Sequence, residues 1–345
     1  MIKVDSQSMK ILLLSALTDN QENNYPEYYK YSEYMNDLTL HGLRQLFGEE
    51  VIDYPGCWYL YKDEVNKRKF NTNLLWGKGF TYKNILDEYD KIDRNDILNK
   101  IKQNYFDLII YGSIRRSNLF FEEVKKSNTK FIFIDGEDDT FIDKKYSKIG
   151  KYFKREILNN EQNVLPINFS VPKNKIVNKI DYNPSNILAP LIPGKSKTYI
   201  YKTEEDYYQM YQKSIFAITF KKVGWDCMRH YEILMNGCIP LFLDIDKCPE
   251  NIMTNFPKNK IYNIKKKYEF ILNAENPYKI FSKKFQKKTI LIDYFKYLFS
   301  SKKNIKSLLL DNSEIYQLKE ELISFTKKNL TTETNAKNLV ERANR

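Results

Sequence analysis

The residues with the clearest chemical potential lie in one segment, 224–242, which has the sequence GWDCMRHYEILMNGCIPLF. A helix is predicted here, and the start of a helix carries free N–H groups and partial positive charge that attract a phosphate or diphosphate. Arg229, in the first turn, could add a charge-assisted hydrogen bond to that group. Glu232 could accept hydrogen bonds from ribose hydroxyls. The same spacing also suits an exposed ion pair on an ordinary amphipathic helix.

The helix is predicted from its two ends. Asp226 is a good N-cap, because its side-chain oxygen can accept from the N–H groups of the first turn. Gly237 suits the left-handed conformation that closes a helix. We therefore predict a helix at 227–236, between buried strands at 216–220 and 239–245.

A second group of polar residues follows an apolar run in the first half of the chain. Asp135, Glu137 and Asp138 come at and after the end of a predicted strand, 131–135. Because the carboxyl ends of parallel strands meet at one edge of a sheet, these carboxylates would face a ligand cleft. Together with His41 they are candidates for a general base. The alternatives are a solvated capping loop for the carboxylates and a buried, hydrogen-bonded ring for His41.

Two cations and a further acidic pair complete the candidates. Lys154 and Arg155 could neutralise a leaving diphosphate, or could be ordinary surface cations. Asp244 and Asp246 form a DxD tripeptide after a strand, a pattern that can hold a divalent cation bridging a diphosphate. The tripeptide alone is a weak signal, so we expect neither a metal nor another cofactor.

An alternation of apolar runs and helical patterns must position these residues. Strands that alternate with helices form parallel βαβ units, whose strands are buried on both faces. The polar stretch 160–185 is interpreted as the crossing between two domains. The predicted strands lie at 10–17, 51–55, 106–113, 131–135, 186–192, 216–220, 239–245 and 260–264. The predicted helices lie at 34–46, 84–104, 119–127, 204–214 and 227–236, and the chain beyond 268 is predicted to be mainly helical, with a frayed tail after Leu330.

The fold class that follows is α/β, with two facing Rossmann-like domains and C-terminal helices. Residues 1–162 are predicted to bind an acceptor and 163–310 a nucleotide. Residues 311–345 are predicted to form the C-terminal helices and the tail.

Composition limits the classes of protein to consider. Of the 345 residues, 42% are apolar and 15% aromatic, which excludes a disordered or fibrous protein. The net charge of +12 could serve nucleic acid, an anionic membrane or phosphorylated substrates, but the lysines are scattered and we interpret them as diffuse solvated charge. The four cysteines are widely spaced, which argues against a zinc site or a disulfide framework and favours a reducing compartment. No apolar run approaches the roughly 20 residues of a membrane helix, so a cytoplasmic location is expected, with peripheral membrane association left open.

Part of the segment 224–242 resembles a known family. The piece EILMNGCIPLF looks like the donor-site helix of GT-B glycosyltransferases, which has Glu, a short apolar run, Gly, a small residue and Pro. The longer string beginning at Gly224 resembles a group of microbial and viral glycosyltransferase-like proteins with a Gly-Trp-Asp-Cys…Arg-His-Tyr-Glu run. Segments 40–55 and 106–139, and Phe-Lys-Arg-Glu at 153–156, resemble the same group.

The resemblance implies metal-independent transfer of a sugar from a nucleotide-diphosphate sugar to a carbohydrate, glycolipid or glycan acceptor. In GT-B enzymes the glutamate that matches Glu232 binds the ribose. Many of these enzymes have another acidic residue eight positions before that glutamate, where this chain has Gly224. Asp226 could then either cap the helix or contact the sugar. The implied donor-binding residues are Gly224, Trp225, Asp226, Arg229, His230, Glu232, Lys154 and Arg155.

Other functions stay open at this point. The basic charge could serve a nucleic-acid-binding protein or a DNA-base glucosyltransferase, although no nucleic-acid module is recognisable and nucleic acid is not the expected partner. A metal-dependent DxD transferase and a non-catalytic nucleotide-binding subunit are further alternatives. The aromatic residues within 25–34 and 54–61 would suit stacking on a sugar acceptor, or ordinary packing.

Overall fold

The computed structural model describes residues 9–17, 33–268, 271 and 313–345, which form a mixed α/β fold. The first sheet has six parallel strands in the order β2-β1-β3-β4-β5-β6. They are β1 Ile11–Leu14, β2 Val51–Tyr54, β3 Leu108–Tyr111, β4 Lys130–Asp135, β5 Lys151–Lys154 and β6 Val164–Pro166. The strand order reverses at β1, and open sheets of this kind bind ligands at the carboxyl ends of the strands near such a reversal.

The second sheet has three parallel strands in the order β7-β8-β9. They are β7 Asn186–Leu188, β8 Ser214–Thr219 and β9 Ile239–Phe242, and every residue of β8 and β9 is buried. Continuous burial is expected of parallel strands that are covered on both faces. Both sheets are compatible with Rossmann-like domains.

Helices connect the strands and cover the sheets. Those of the first half are α1 Tyr34–Phe47, α2 Lys62–Lys67, α3 Ile97–Lys102, α4 Phe121–Lys126 and α5 Lys144–Ser147. Those of the second half are α6 Glu204–Gln212, α7 Met228–Met235, α8 Lys258–Tyr268, α9 Ser313–Asn329 and α10 Thr332–Asn344. Of these described helices, none combines the length and the apolar character needed to cross a membrane.

The last helix returns to pack against the first half. α10 lies along α1, and Gly42 permits the approach, because a Cβ at that position would lie 2.1 Å from the carbonyl oxygen of Thr332. His41 is buried in the same contact, with its Nδ1 2.8 Å from the Thr332 hydroxyl. Burial lowers the pKa of His41 to about 4, so its ring is neutral at pH 7.

Most of the predicted elements are confirmed. The apolar runs that begin near 11, 51, 108, 131, 187, 216 and 239 form strands, and helices occupy most of 311–345. These strands can be identified from short apolar runs, because apolar and polar residues do not alternate along a strand that is buried on both faces. The aromatic residues at 25–32 and the stretch 272–312, which was predicted to be mainly helical, lie outside the described residues.

Three predicted elements are wrong. The run 260–264 was predicted as a strand but lies inside α8, where the buried Ile261, Ile264 and Tyr268 have helical spacing. The helix predicted at 84–104 is limited to α3, because Glu88 and Asp96 adopt left-handed conformations that interrupt it. The tail after Leu330 is not frayed, because it forms α10.

Two strands of the first sheet were not predicted, and each has a local reason. β5 has lysine at both ends, and Lys154 is buried only because carboxylates from the end of β4 pair with it. β6 ends in Pro166, which an edge strand tolerates because one side of it needs no ladder hydrogen bonds. β6 also lies past the predicted boundary at residue 162, so the first sheet extends into the stretch interpreted as the crossing.

Acid pH is expected to weaken the fold through His41. Its pKa is lower in the folded protein than in the unfolded chain, so between pH 6.5 and about pH 4 unfolding takes up a proton that the folded state does not bind. The free energy of unfolding should therefore fall across this window, by at most about 3 kcal/mol from this ring. Urea unfolding at a series of pH values measures the change. In His41→Asn this part of the pH dependence should disappear, and identical profiles for the two proteins would contradict the assignment.

Candidate functional site

The two halves of the chain meet at the guanidinium of Arg155, which follows β5. Its Nε donates to the carbonyl oxygen of Gly136 at 2.8 Å, and its Nη1 donates to the carbonyl oxygen of Asp226 in the second half. It also forms ion pairs with Glu156, at 3.1 Å, and with Asp138. Because the residue is 1% exposed, its charge is compensated by protein groups rather than by water.

Asp226 connects to the first half through its backbone and is fixed in place by its side chain. Its N–H donates to Oε1 of Glu156 at 2.8 Å. Its carboxylate accepts from the N–H of Phe169 at 2.9 Å and from the hydroxyl of Tyr231 at 2.7 Å. Burial raises the pKa of Asp226 to about 6. These bonds make Asp226 a structural connection between the halves.

A side chain at position 224 would displace two carboxylates. A Cβ there would lie 2.7 Å from Oε1 of Glu156 and 3.0 Å from Oδ1 of Asp138. The carboxylates beside Gly224 therefore come from the opposite half of the chain. This packing favours glycine at position 224.

Helix α7 starts one residue later than predicted. Its N-cap is Cys227, whose side chain makes no capping hydrogen bond, and the predicted capping role of Asp226 is wrong. The predicted closure is confirmed, since Gly237 has a left-handed φ of 67°. N–H groups in the first turn of a helix have no partner inside that helix. The start of α7 therefore keeps donors and partial positive charge.

Arg229 lies in this first turn and is incompletely paired. It is 7% exposed, and its Nη2 donates to the hydroxyl of Tyr199 at 2.8 Å. Within the described part of the chain, Nε and Nη1 are buried without a hydrogen-bond partner. Buried donors normally have partners, and a buried cation normally has an anionic one. The guanidinium therefore has the properties of an anion-binding group.

Glu232 follows on the same helix and is 5% exposed. Its Oε1 accepts from the hydroxyl of Thr81 at 2.7 Å, and its Oε2 accepts from the hydroxyl of Tyr207 at 2.7 Å. Burial raises the pKa of Glu232. Thr81 belongs to the first half and Tyr207 to α6, so hydroxyls from both halves occupy this carboxylate.

His230 points into the interior of the second half. It is fully buried, with Nδ1 2.8 Å from the hydroxyl of Thr219 and Nε2 2.9 Å from the carbonyl oxygen of Trp225. Burial lowers the pKa of His230 to about 3, so the ring is neutral. Because both ring nitrogens have protein partners, neither is left for a phosphate or a sugar. The geometry gives His230 a packing role, and the carbonyl oxygen of Trp225 is one of its partners.

Asp135 and Lys154 form an ion pair where β4 and β5 end. Their atoms Oδ1 and Nζ lie 3.0 Å apart, and neither side chain is exposed. Asp135 also accepts from the hydroxyl of Tyr152, and Nζ of Lys154 lies 3.4 Å from Asp139. This enclosed pair supports the sheet, and it leaves neither residue facing a substrate as predicted.

Glu137 and Asp138 are the accessible members of the predicted group of bases. Their side chains are 31% and 53% exposed. Glu137 pairs with Arg116 at 3.0 Å, and Asp138 pairs with Arg155. Asp138 also lies against Gly224, so it is the candidate base at the junction of the two halves.

Three residues at the junction were missed from the sequence: Glu33, Glu156 and Thr81. Glu33 is the N-cap of α1, and a Cβ at Gly136 would lie 2.6 Å from its Oε1. Glu33 could have been identified in the sequence by its position just before an amphipathic helical pattern. Glu156 could have been identified because it is the last residue of the Phe-Lys-Arg-Glu run. Thr81 had no signal, because its partners are far away in sequence.

The remaining candidates lie apart from Arg229. Asp244 accepts from the N–H of Lys221 at 3.1 Å, and Asp246 pairs with Lys265. His41 lies in the contact between α1 and α10. In residues 9–17, 33–268, 271 and 313–345, no three His, Cys, Asp or Glu side chains are grouped to hold a metal ion. The chain matches no model of a known protein family, and no curated protein matches it significantly.

Replacing Asp226 should weaken the contact between the halves. Asp226→Ala leaves the buried N–H of Phe169 and hydroxyl of Tyr231 without acceptors, which should lower the free energy of unfolding by about 2–4 kcal/mol. Asp246→Ala is the matched control, because it removes a partly exposed ion pair worth about 1 kcal/mol or less. Urea unfolding measures both variants. Equal losses would contradict the role assigned to Asp226.

Proposed function

We propose that the protein is a glycosyltransferase that moves a sugar from a nucleotide-diphosphate sugar to a carbohydrate, glycolipid or glycan acceptor. The observation that carries the proposal is the buried, incompletely paired guanidinium of Arg229 at the start of α7. The similarity of 224–242 to the donor-site helix of GT-B enzymes supports the same conclusion.

The physical argument starts from the cost of burying a charge. A buried guanidinium with two nitrogens that lack hydrogen bonds has its hydration replaced only in part, and such groups persist mainly where a ligand supplies the missing bonds. Arg229 adds this charge to the N–H groups of a helix start, an arrangement that suits a diphosphate. Glu232, on the same helix, already accepts hydrogen bonds from two hydroxyls, the chemical group that a ribose presents.

The arrangement of the sheets is compatible with this assignment. Loops at the carboxyl ends of β4 and β5 in the first half contact the segment that leads from β8 into α7 in the second half. In the proposed GT-B arrangement the second half binds the nucleotide and the first half the acceptor. The ligand cleft then lies between them, at the strand ends where open parallel sheets bind ligands.

In the proposed reaction the oxygen of an acceptor hydroxyl bonds to the anomeric carbon as the bond from that carbon to the diphosphate oxygen breaks. The negative charge that develops on the diphosphate is stabilised by Arg229 and by the start of α7. The hydroxyl proton passes to a carboxylate of the first half. Asp138 is the proposed base, because it is accessible and lies at the junction.

Replacing Arg229 should separate ligand binding from stability. In Arg229→Met, affinity for the donor should fall about tenfold to a hundredfold, because charge-assisted hydrogen bonds are lost. The temperature of unfolding without ligand should stay the same or rise, because the variant no longer buries two donors that lack hydrogen bonds. Calorimetry with UDP-, GDP-, CMP- and dTDP-sugars, with and without EDTA, measures affinity, and thermal unfolding measures stability.

Lys222→Met is the matched control, since it removes the same charge from an exposed position near α7. Its donor affinity should stay within about twofold of the unmodified protein. If no donor binds, or if Arg229→Met binds as well as the unmodified protein, the proposal is overturned. Loss of binding in EDTA would favour the metal-dependent alternative at Asp244 and Asp246.

Replacing the proposed base should affect turnover and leave donor binding in place. Asp138→Asn keeps the size of the side chain but cannot accept the proton, so turnover should fall about 10²–10⁴-fold. Asp87→Asn, at an exposed carboxylate paired with Lys62, is the control and should keep full turnover. Release of the nucleoside diphosphate in the presence of an acceptor measures both. Full turnover by Asp138→Asn would mean that another group accepts the proton of the acceptor hydroxyl.

A further inference from the structure

The segment 76–82 of the first half is inserted against the second half beside Glu232. The backbone N–H of Thr81 donates to Oε1 of Glu204 at 2.7 Å, and its hydroxyl donates to Oε1 of Glu232. Nζ of Lys78 donates to the carbonyl oxygen of Tyr201 at 2.7 Å. These partners belong to α6, to α7 and to the loop before α6. The segment therefore makes strong polar contacts outside its own half.

An aromatic contact accompanies these bonds. The ring of Phe80 stacks on that of Tyr207 with their centroids 5.6 Å apart. Tyr207 also donates its hydroxyl to the second oxygen of Glu232. Phe80 is 7% exposed and Thr81 is fully buried, so this part of the segment fills space beside α7.

The backbone of the segment is held in an unfavourable conformation. Gly77, Lys78, Gly79 and Thr81 have φ values of 55°, 60°, 72° and 77°. Lys78 and Thr81 pay a steric penalty that glycine does not, and a β-branched residue such as Thr81 is the least tolerant of positive φ. The contacts with the second half must therefore hold the segment in place. Removing one of those contacts favours its release.

The Thr81 hydroxyl occupies the carboxylate that the proposed function assigns to a ribose. An aliphatic alcohol donating to Oε1 of Glu232 is chemically equivalent to a ribose hydroxyl at the same oxygen. Arg229, one turn earlier on α7, keeps two unpaired nitrogens. The inserted segment thus covers the ribose-binding group and leaves the anion-binding group unpaired.

We propose that the segment 76–82 is an internal gate, which imitates a ribose hydroxyl through Thr81 and must leave Glu232 before a nucleotide can bind. The inference rests on the proposed function of Glu232 and Arg229. Gly77 and Gly79, which tolerate both signs of φ, provide the hinge. A ligand without a ribose does not need Glu232, so its binding does not require Thr81 to leave that carboxylate.

Calorimetric titration of the full chain with UDP, GDP, CDP, dTDP and inorganic pyrophosphate tests the gate. Thr81→Val keeps the shape and β-branching of the side chain but removes the hydroxyl, so the closed state loses the hydrogen bonds to Glu232 and Tyr208 while the open state loses none. Affinity for the nucleoside diphosphate should rise roughly tenfold. Affinity for pyrophosphate should not change.

Two further variants control the comparison. Thr81→Ser keeps the hydroxyl and should bind like the unmodified protein. Thr140→Val makes the same substitution at an exposed position and should also bind like it. Equal affinities of Thr81→Val and the unmodified protein for a nucleoside diphosphate would overturn the gate and leave the proposed function standing. Binding by neither protein to any probe would overturn both, whereas nucleotide binding by Thr81→Val alone would support both.

Hydrogen exchange gives an independent readout of the same motion. With a saturating nucleoside diphosphate, the amides of 76–82 should exchange faster, because Thr81 N–H is released from Glu204. Saturating pyrophosphate should leave their exchange unchanged. Unchanged or slower exchange with the nucleoside diphosphate would overturn the gate, since a segment that remains in place cannot uncover Glu232.

Discussion

The buried guanidinium of Arg155 is the interaction on which the arrangement of the two halves depends. Taking an arginine out of water is costly unless anions and carbonyl oxygens replace its hydration. Here Gly136 and Glu156 from the first half and the carbonyl oxygen of Asp226 from the second supply that replacement. The guanidinium can be satisfied only when the loop before α7 lies against the end of β5. Its requirement for partners therefore positions the start of α7.

Arg155 and Arg229 are residues of the same type with different roles. Every nitrogen of Arg155 has a protein partner, whereas two nitrogens of Arg229 have none among the described residues. Complete pairing is typical of a structural charge, and incomplete pairing in a buried site is typical of one that awaits a ligand. Lys154, which is enclosed with Asp135, belongs with Arg155 in the structural class.

Stability and binding make opposite demands on the surroundings of α7. Gly224 lets carboxylates of the first half approach closely, and this contact stabilises the junction. The proposed nucleotide site instead keeps features that a stability optimum would remove, namely a guanidinium with two nitrogens that lack hydrogen bonds and a segment with left-handed Lys78 and Thr81. Unfavourable local features of this kind concentrate at functional sites, where binding can relieve them.

The sequence by itself determined seven of the nine described parallel strands, the α/β class and helix α7 with its closing Gly237, because these depend on neighbours in the chain: apolar runs, helical spacing and turn residues. It also identified Arg229 and Glu232 as the polar residues of that helix. Only the tertiary structure decided which predicted residues are satisfied inside the protein. His230, Lys154 and Asp135 have the right chemistry but are enclosed by partners, and Thr81 has an ordinary sequence context but contacts Glu232 from the other half. Burial and pairing depend on residues far apart in the chain, and local patterns carry no information about those contacts.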